Sequence, residues 1–254
     1  VNKLSKLIEI KDLTVKYDDY TAIENVNFSI AENKFITIIG PNGGGKTTLI
    51  KAILGFIEPH KGEIIKSPNL KIGYVPQKNS FEQEFPISVS QVILSGDLEN
   101  KIKLLHRFKS KSWNRLDETL KRLDIINLKD QQINELSGGQ LQKVLLGRAI
   151  ISSPNLLILD EPFSNIDTNS TNKYFQLLKR LSQDMGILII SHDIGIITSF
   201  TDDVVCMNKT AHYHHGSHLT NEILQDTYSC PVELIGHGIP HRVFPEHLAG
   251  DSND

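Results

Sequence analysis

The chain has 254 residues, 39% of them apolar and 22% charged, with a net charge of −3 at pH 7. That composition suits a folded globular protein with ample core, and it offers no basic surplus for binding nucleic acid in bulk. Two cysteines, Cys206 and Cys230, make no disulfide framework, and no apolar run approaches the roughly 18 residues of a membrane span. Val1 to Lys6 does not lead into a signal-type apolar stretch, so the expected location is the cytosol or its membrane face.

In chain order, residues 7–10, 13–17, 23–30 and 35–39 read as short strands separated by polar breaks at Asp18-Asp19 and Ala31-Glu32-Asn33. Tyr17 ends the second strand, where an exposed ring either stacks on a nucleobase or merely edges the sheet. The run Ile36 to Ile39 leads into Gly40-Pro41-Asn42-Gly43-Gly44-Gly45-Lys46-Thr47-Thr48, which fits G-x-x-x-x-G-K-[ST]. Adjacent glycines permit positive φ and bring N–H groups against phosphate oxygens, and the following helix aims its positive end at the same oxygens. Lys46 is expected to reach the β- and γ-phosphates of ATP or GTP, and Thr47 to hold Mg²⁺.

Further on, residues 62–65 and 71–75 read as strands, and Gln77 leaves the second of them. Residues 87 to about 150 look mainly helical. From Lys101 to Arg115 there are six Lys/Arg and no acid, which reads as a solvated basic face or as a surface for anionic lipid or an acidic partner. Ser137 is a natural N-cap for a helix over 141–151, and Gly138 and Gly139 leave backbone N–H groups open beside it. This second anion-binding helix terminus is more than one ATP needs within one subunit, whereas two subunits sharing two ATPs need both.

The buried-strand run from Asn155 to Leu159 ends in Asp160-Glu161, a Mg²⁺ ligand followed by a residue placed to take a proton from water. Ser164 to Asp167 precede a helix from about Thr171 to Gln183. A strand over 187–190 runs into Ser191-His192, at the strand ends where α/β sheets bind ligands. Alternating strands and helices from Ile36 to Met207 indicate a mostly parallel sheet with flanking helices.

These motifs, in this order, make the sequence from about Leu7 to Gly216 resemble the ATP-binding subunits of ABC transporters. The most specific element is Leu136-Ser137-Gly138-Gly139-Gln140, similar to the family's signature loop and lying between the phosphate loop and Asp160-Glu161. The resemblance implies an α/β P-loop ATPase with an N-terminal antiparallel β subdomain, an inserted helical subdomain at about 87–150, and an extension over 217–254. It implies ATP and Mg²⁺ as ligands, with Tyr17 on the adenine. Gln77 becomes the coupling glutamine, which joins Thr47 and Asp160 at the metal. Glu161 becomes the general base, and His192 the residue sensing the γ-phosphate. Ser164 and Asp167 fall in the loop between the two sites, and Ser137, Gly138, Gly139 and Gln140 act on the ATP of the opposite subunit.

A narrower resemblance, to the zinc and manganese importer group, rests on three features. They are Gly44 between glycines, the His-rich hairpin behind Met207-Asn208, and Cys230-Pro231-Val232-Glu233-Leu234 leading to His237 and His241. It implies a second copy of the chain, hydrophobic permease subunits and an extracytoplasmic metal-binding protein as partners, with no nucleic acid. Import of chelated iron and a soluble, non-transport ABC ATPase are the alternatives. Residues 78–97 are expected to transmit movement to the permease, with Phe81, Phe85 and Pro86 either docking or packing in the core.

Three departures stand out. Asn165 replaces the usual alanine, and Gly147 sits where alanine is common in the signature helix, which would cost about 1 kcal/mol in an exposed interior. Ser95-Gly96-Asp97 lacks the arginine that often follows the glycine, which puts one permease contact in doubt. Seven of the ten histidines lie at or after His212. They form a polar extension packing on the protein, or a metal sensor slowing turnover, although no CxxC or helical HxxxH pattern occurs.

Overall fold

The computed structural model describes residues 5–77, 86–98, 108–163, 168–191 and 200–216. Phe81, Phe85, Asn165, Cys230, His237 and His241 lie outside that set.

Among the described residues, strands β1 (Lys6–Tyr17), β2 (Tyr20–Ala31) and β4 (Lys61–Lys66) form an antiparallel sheet in the order β2-β1-β4. The first two predicted strands are in fact one. Asp12 turns with φ 49, and its N–H donates to Asn27 Oδ1 at 2.8 Å, so the chain bulges there without leaving the sheet.

The second sheet runs β5-β6-β7-β3-β8-β9. Its members are β3 (Phe35–Ile39), β5 (Ile72–Val75), β6 (Leu156–Asp160), β7 (Gly186–Ile190), β8 (Asp203–Asn208) and β9 (Thr210–His215). All neighbours are parallel except β8 and β9. Every residue of β3, β6 and β7 is buried, as continuous β-branched and leucine runs require when a parallel sheet is covered on both faces.

Alternate residues of these strands feed two cores. Ile36, Ile38, Leu156, Ile158, Leu188 and Ile190 pack with the antiparallel sheet and with helix α1 (Lys46–Leu54). Phe35, Leu157, Leu159, Ile187 and Ile189 pack on the other side with α2 (Val89–Ser95), α3 (Ser110–Arg122), α4 (Gly138–Ile150) and α5 (Thr168–Leu181). The two-residue period of a strand makes this division. The one polar side chain inside β3, Thr37, shares a hydrogen bond with Thr201 Oγ1 at 3.0 Å.

Gly147 is buried rather than exposed. A Cβ there would lie 3.0 Å from Ile93 Cδ1 and 3.1 Å from Leu123 Cδ1, so the glycine admits α2 and the end of α3 close to α4. Asp97, the residue found in place of arginine, forms an ion pair with Arg115 of α3 and is nearly inaccessible to solvent. It ties α2 to α3.

At the opposite edge, burial would raise the Asp203 carboxyl's pKa. The Lys34 ammonium at 2.9 Å, the Tyr213 hydroxyl at 2.9 Å and the Gly216 N–H at 3.2 Å outweigh that and hold it below the usual carboxylate range. This anchors β9 to the start of β8.

Candidate functional site

The strand order sets out the site. Ile38 of β3 and Asp160 of β6 are both register partners of Ile190 in β7, so the carboxyl ends of three adjacent strands lie side by side. They carry the phosphate loop, Asp160-Glu161 and Ser191. In open α/β sheets this is where ligands bind.

Two constraints shape the loop from Gly40 to Gly45. A Cβ on Gly40 would sit 1.8 Å from Met207 O, so only glycine lets the loop lie on the end of β8. Gly45, the N-cap of α1, has φ 93, a left-handed conformation that favours glycine. Of the three adjacent glycines expected to turn with positive φ, Gly43 and Gly45 do. Gly44 does not; it is confined by space, 2.9 Å from Met207 O by the same measure. Pro41, Asn42, Thr47 and Thr48 are partly or fully exposed around the start of α1.

The Lys46 Nζ donates to Gly40 O and Pro41 O of its own loop, each at 2.8 Å. A buried ammonium needs acceptors, and the loop's own carbonyls supply them here. Burial pulls its pKa down, and the charges of Glu161 and Asp160 oppose that shift.

Asp160 is 2% exposed, and its Oδ1 has no hydrogen-bond partner. Burial and the neighbouring Glu161 charge raise its pKa to about 6, against the pull of Lys46 and Lys51. An orphaned, electron-rich carboxylate oxygen inside a protein is what a hard cation replaces a proton on. Thr47 on the adjoining helix end supplies a hydroxyl, so the residues present fit Mg²⁺.

Gln77, at the exit from β5, donates from Nε2 to Glu161 Oε2 at 2.6 Å. That bond fixes the Glu161 carboxylate and leaves the Gln77 amide oxygen available to a cation. Glu161 itself has φ 46, uncommon for a side chain of this kind, and its N–H donates to Ile190 O at 3.1 Å. Strand β7 thus holds the turn that presents it.

Ser137 caps α4 as the sequence suggests, but the helix begins at Gly138, three residues earlier than expected. Ser137 Oγ accepts from Gln140 N at 3.4 Å, while Ser137 N donates to Gln140 Oε1 at 2.9 Å. This capping box uses the N–H of Gln140, and Leu141 N starts the helical ladder on Ser137 O at 2.9 Å. The first-turn N–H groups of Gly138 and Gly139 therefore remain to bind an anion. Helices α1 and α4 belong to layers on opposite faces of the central sheet.

Tyr17 stands 43% exposed at the tip of the β1–β2 hairpin, accessible to a nucleobase. His192, Ser164 and Asp167 lie outside the described residues.

His212 and His215 of β9 are exposed. His214 is partly buried, and desolvation together with the charge of His212 lowers its pKa. Among the described residues no group of three or more His, Cys, Asp or Glu is arranged to hold a metal ion.

One contact was invisible in the sequence. Lys209 N donates to Gly44 O at 2.9 Å, and Lys209 O accepts from Glu24 N at 2.8 Å. Asn208-Lys209 between the apolar run ending at Met207 and the His-rich segment after it signals a hairpin turn, but nothing local says which loop that turn touches.

The family model described as ABC transporter matches residues 23–164. The zinc import ATP-binding protein ZnuC of Rickettsia bellii is 39% identical over 207 residues, covering 80% of this chain and 83% of that protein. Among solved structures, cbiO1 from Clostridium perfringens, part of the ABC transporter complex cbiONQ, superposes with a TM-score of 0.74. It shows 27% identity, with 87% of this chain and 91% of that one covered. A bacterial ABC transporter cassette solved as a dimer matches with a TM-score of 0.67 at 25% identity, covering 84% of this chain and 100% of its own.

Proposed function

Because the chain belongs to the ABC transporter family of ATP-binding proteins, we propose that it hydrolyses ATP to power import of a divalent transition metal ion through a membrane permease. Zinc is the first candidate and manganese the second. The observation that carries the chemistry is the Gln77–Glu161 bond of 2.6 Å beside Asp160, on strand ends adjoining the phosphate loop. The observation that favours metal as cargo is the 39% identity to a zinc import ATP-binding protein.

In this reading the nucleobase stacks on Tyr17, and the triphosphate lies along Gly40 to Thr48. Lys46 leaves the loop carbonyls, which are neutral acceptors, for the β- and γ-phosphates, where donor and acceptor both carry charge. Thr47, Asp160 and Gln77 would hold Mg²⁺, which would neutralise phosphate charge. Glu161, oriented by Gln77, takes the proton from the attacking water. His192 contacts the γ-phosphate. Ser137, Gly138 and Gly139 cover the ATP of a second copy, with Ser164 and Asp167 between the two sites. The placement of α1 and α4 on opposite faces of the sheet supports this two-chain arrangement. Loss of the γ-phosphate contacts after hydrolysis lets the pair open.

The functional unit is then residues 1–216 with the helical subdomain inserted at about 87–150, followed by the extension 217–254. No helix among the described residues is long and apolar enough to cross a membrane. In this reading the permease holds the chain at the cytoplasmic face. An extracytoplasmic metal-binding protein delivers the cargo.

The test is co-purification from membranes of the source cell with the tagged chain. A hydrophobic permease subunit should come with it, and zinc uptake into vesicles carrying the complex should require ATP. Bound DNA or ribosomes in place of a permease would contradict transport. ATP-driven uptake of an iron chelate but not of free zinc or manganese would contradict the cargo.

A further inference from the structure

The turn between β8 and β9 bridges two parts of the candidate nucleotide site through one residue. Lys209 gives its N–H to Gly44 O of the phosphate loop and receives the N–H of Glu24 in β2 on its carbonyl. It holds φ 61, a left-handed conformation in which a long side chain is uncommon. Its side chain is exposed, and the ammonium lies 5.2 Å from the centroid of the Tyr20 ring. Among the described residues no carboxylate forms an ion pair with it.

Tyr20 is the register partner of Tyr17 across the hairpin, so the two side chains leave the same face of its tip. They are 52% and 43% exposed. Lys209 therefore stands between the phosphate cradle on one side and the candidate base-stacking tip on the other. The phosphate that occupies this interval in a nucleotide is the one nearest the nucleoside.

We propose that Lys209 is a nucleotide-binding residue that takes the α-phosphate, its ammonium moving there from the face of the Tyr20 ring. This rests on the ATP-site reading given above. A cation over a half-exposed ring is weakly held, whereas an ammonium on a phosphate oxygen is a charge-assisted bond, so nucleotide binding draws Lys209 off Tyr20. Its flexible four-carbon stem permits the move while the backbone stays bonded to Gly44 and Glu24. Lys46 and Lys209 then divide the triphosphate, the first at its β- and γ-phosphates and the second at the α-phosphate.

The experiment is a set of equilibrium titrations of the full chain and its Lys209→Gln variant with ATP, ADP, AMP and adenosine at low salt. The variant should bind the three nucleotides about tenfold more weakly, the size of one charge-assisted hydrogen bond. Adenosine affinity should not change. Added salt should shrink the difference, because the contact is partly exposed. Lys209→Arg should recover most of the loss.

Unchanged ATP and ADP affinity in Lys209→Gln overturns the proposal. So does an equal loss for adenosine, which would make Lys209 a prop for the hairpin, and so does a loss for ATP and ADP that spares AMP. Failure of the unaltered chain to bind ATP would overturn the site reading itself.

Discussion

Glu161→Gln should lower ATP turnover by about 10²–10⁴-fold, the usual contribution of a general base, while ATP affinity stays within about twofold. Glu161 Oε2 is held by Gln77 Nε2 at 2.6 Å, and a glutamine at 161 still offers an amide oxygen to the same donor. The turn at Glu161, secured by its N–H on Ile190 O, is likewise unaffected. What is lost is the group that accepts a proton, so the defect is chemical rather than structural. With ATP bound and uncleaved, the variant should accumulate as a nucleotide-bound dimer in size-exclusion chromatography. Near-normal steady-state hydrolysis would remove Glu161 from its assigned role.

Lys46→Ala should fail at the earlier step. The ammonium that closes on Gly40 O and Pro41 O is the loop's own cation, already buried and already partly stripped of water. Moving from those carbonyls to phosphate therefore carries little new desolvation, and nearly all of the charge-assisted bond is available for binding. Its removal should weaken MgATP affinity by about 10–100-fold, as measured by titration. Thermal stability should fall as well, because the change leaves the buried Gly40 carbonyl without its donor, whereas the Pro41 carbonyl is only part-buried. An ATP affinity equal to that of the unaltered chain would contradict the phosphate-loop assignment. The two substitutions thus separate binding from chemistry.

Much of this site is legible in the sequence because its features are local. A glycine-rich turn between an apolar strand and a helix, a serine three residues before a glutamine, and two acids after four apolar residues each specify their own backbone. Parallel pairing also follows from alternation of strands and helices. Features set by contacts between distant segments were hidden. Gly147 looks like an exposed helix defect until Ile93 and Leu123 are found against it. Asp97 looks like a missing arginine until Arg115, 18 residues on, pairs with it. Asp12 and its neighbours read as a break between strands, although Asn27 in β2 stitches the bulge into one. Lys46 points to phosphate in any reading of its motif, but only the folded loop shows its ammonium on Gly40 O and Pro41 O.

The central claim is that two copies of this chain build each ATP site together, and mixing tests it most directly. A Ser137→Arg chain loses the helix terminus offered to its neighbour, and a Lys46→Ala chain loses its own phosphate loop. Each alone should be nearly inactive. Combined in equal amounts, half of the pairs are mixed and each mixed pair keeps one intact site, so hydrolysis should return to about a quarter of the unaltered rate if sites act independently. Activity in the mixture no higher than in either parent would place the whole site within one chain.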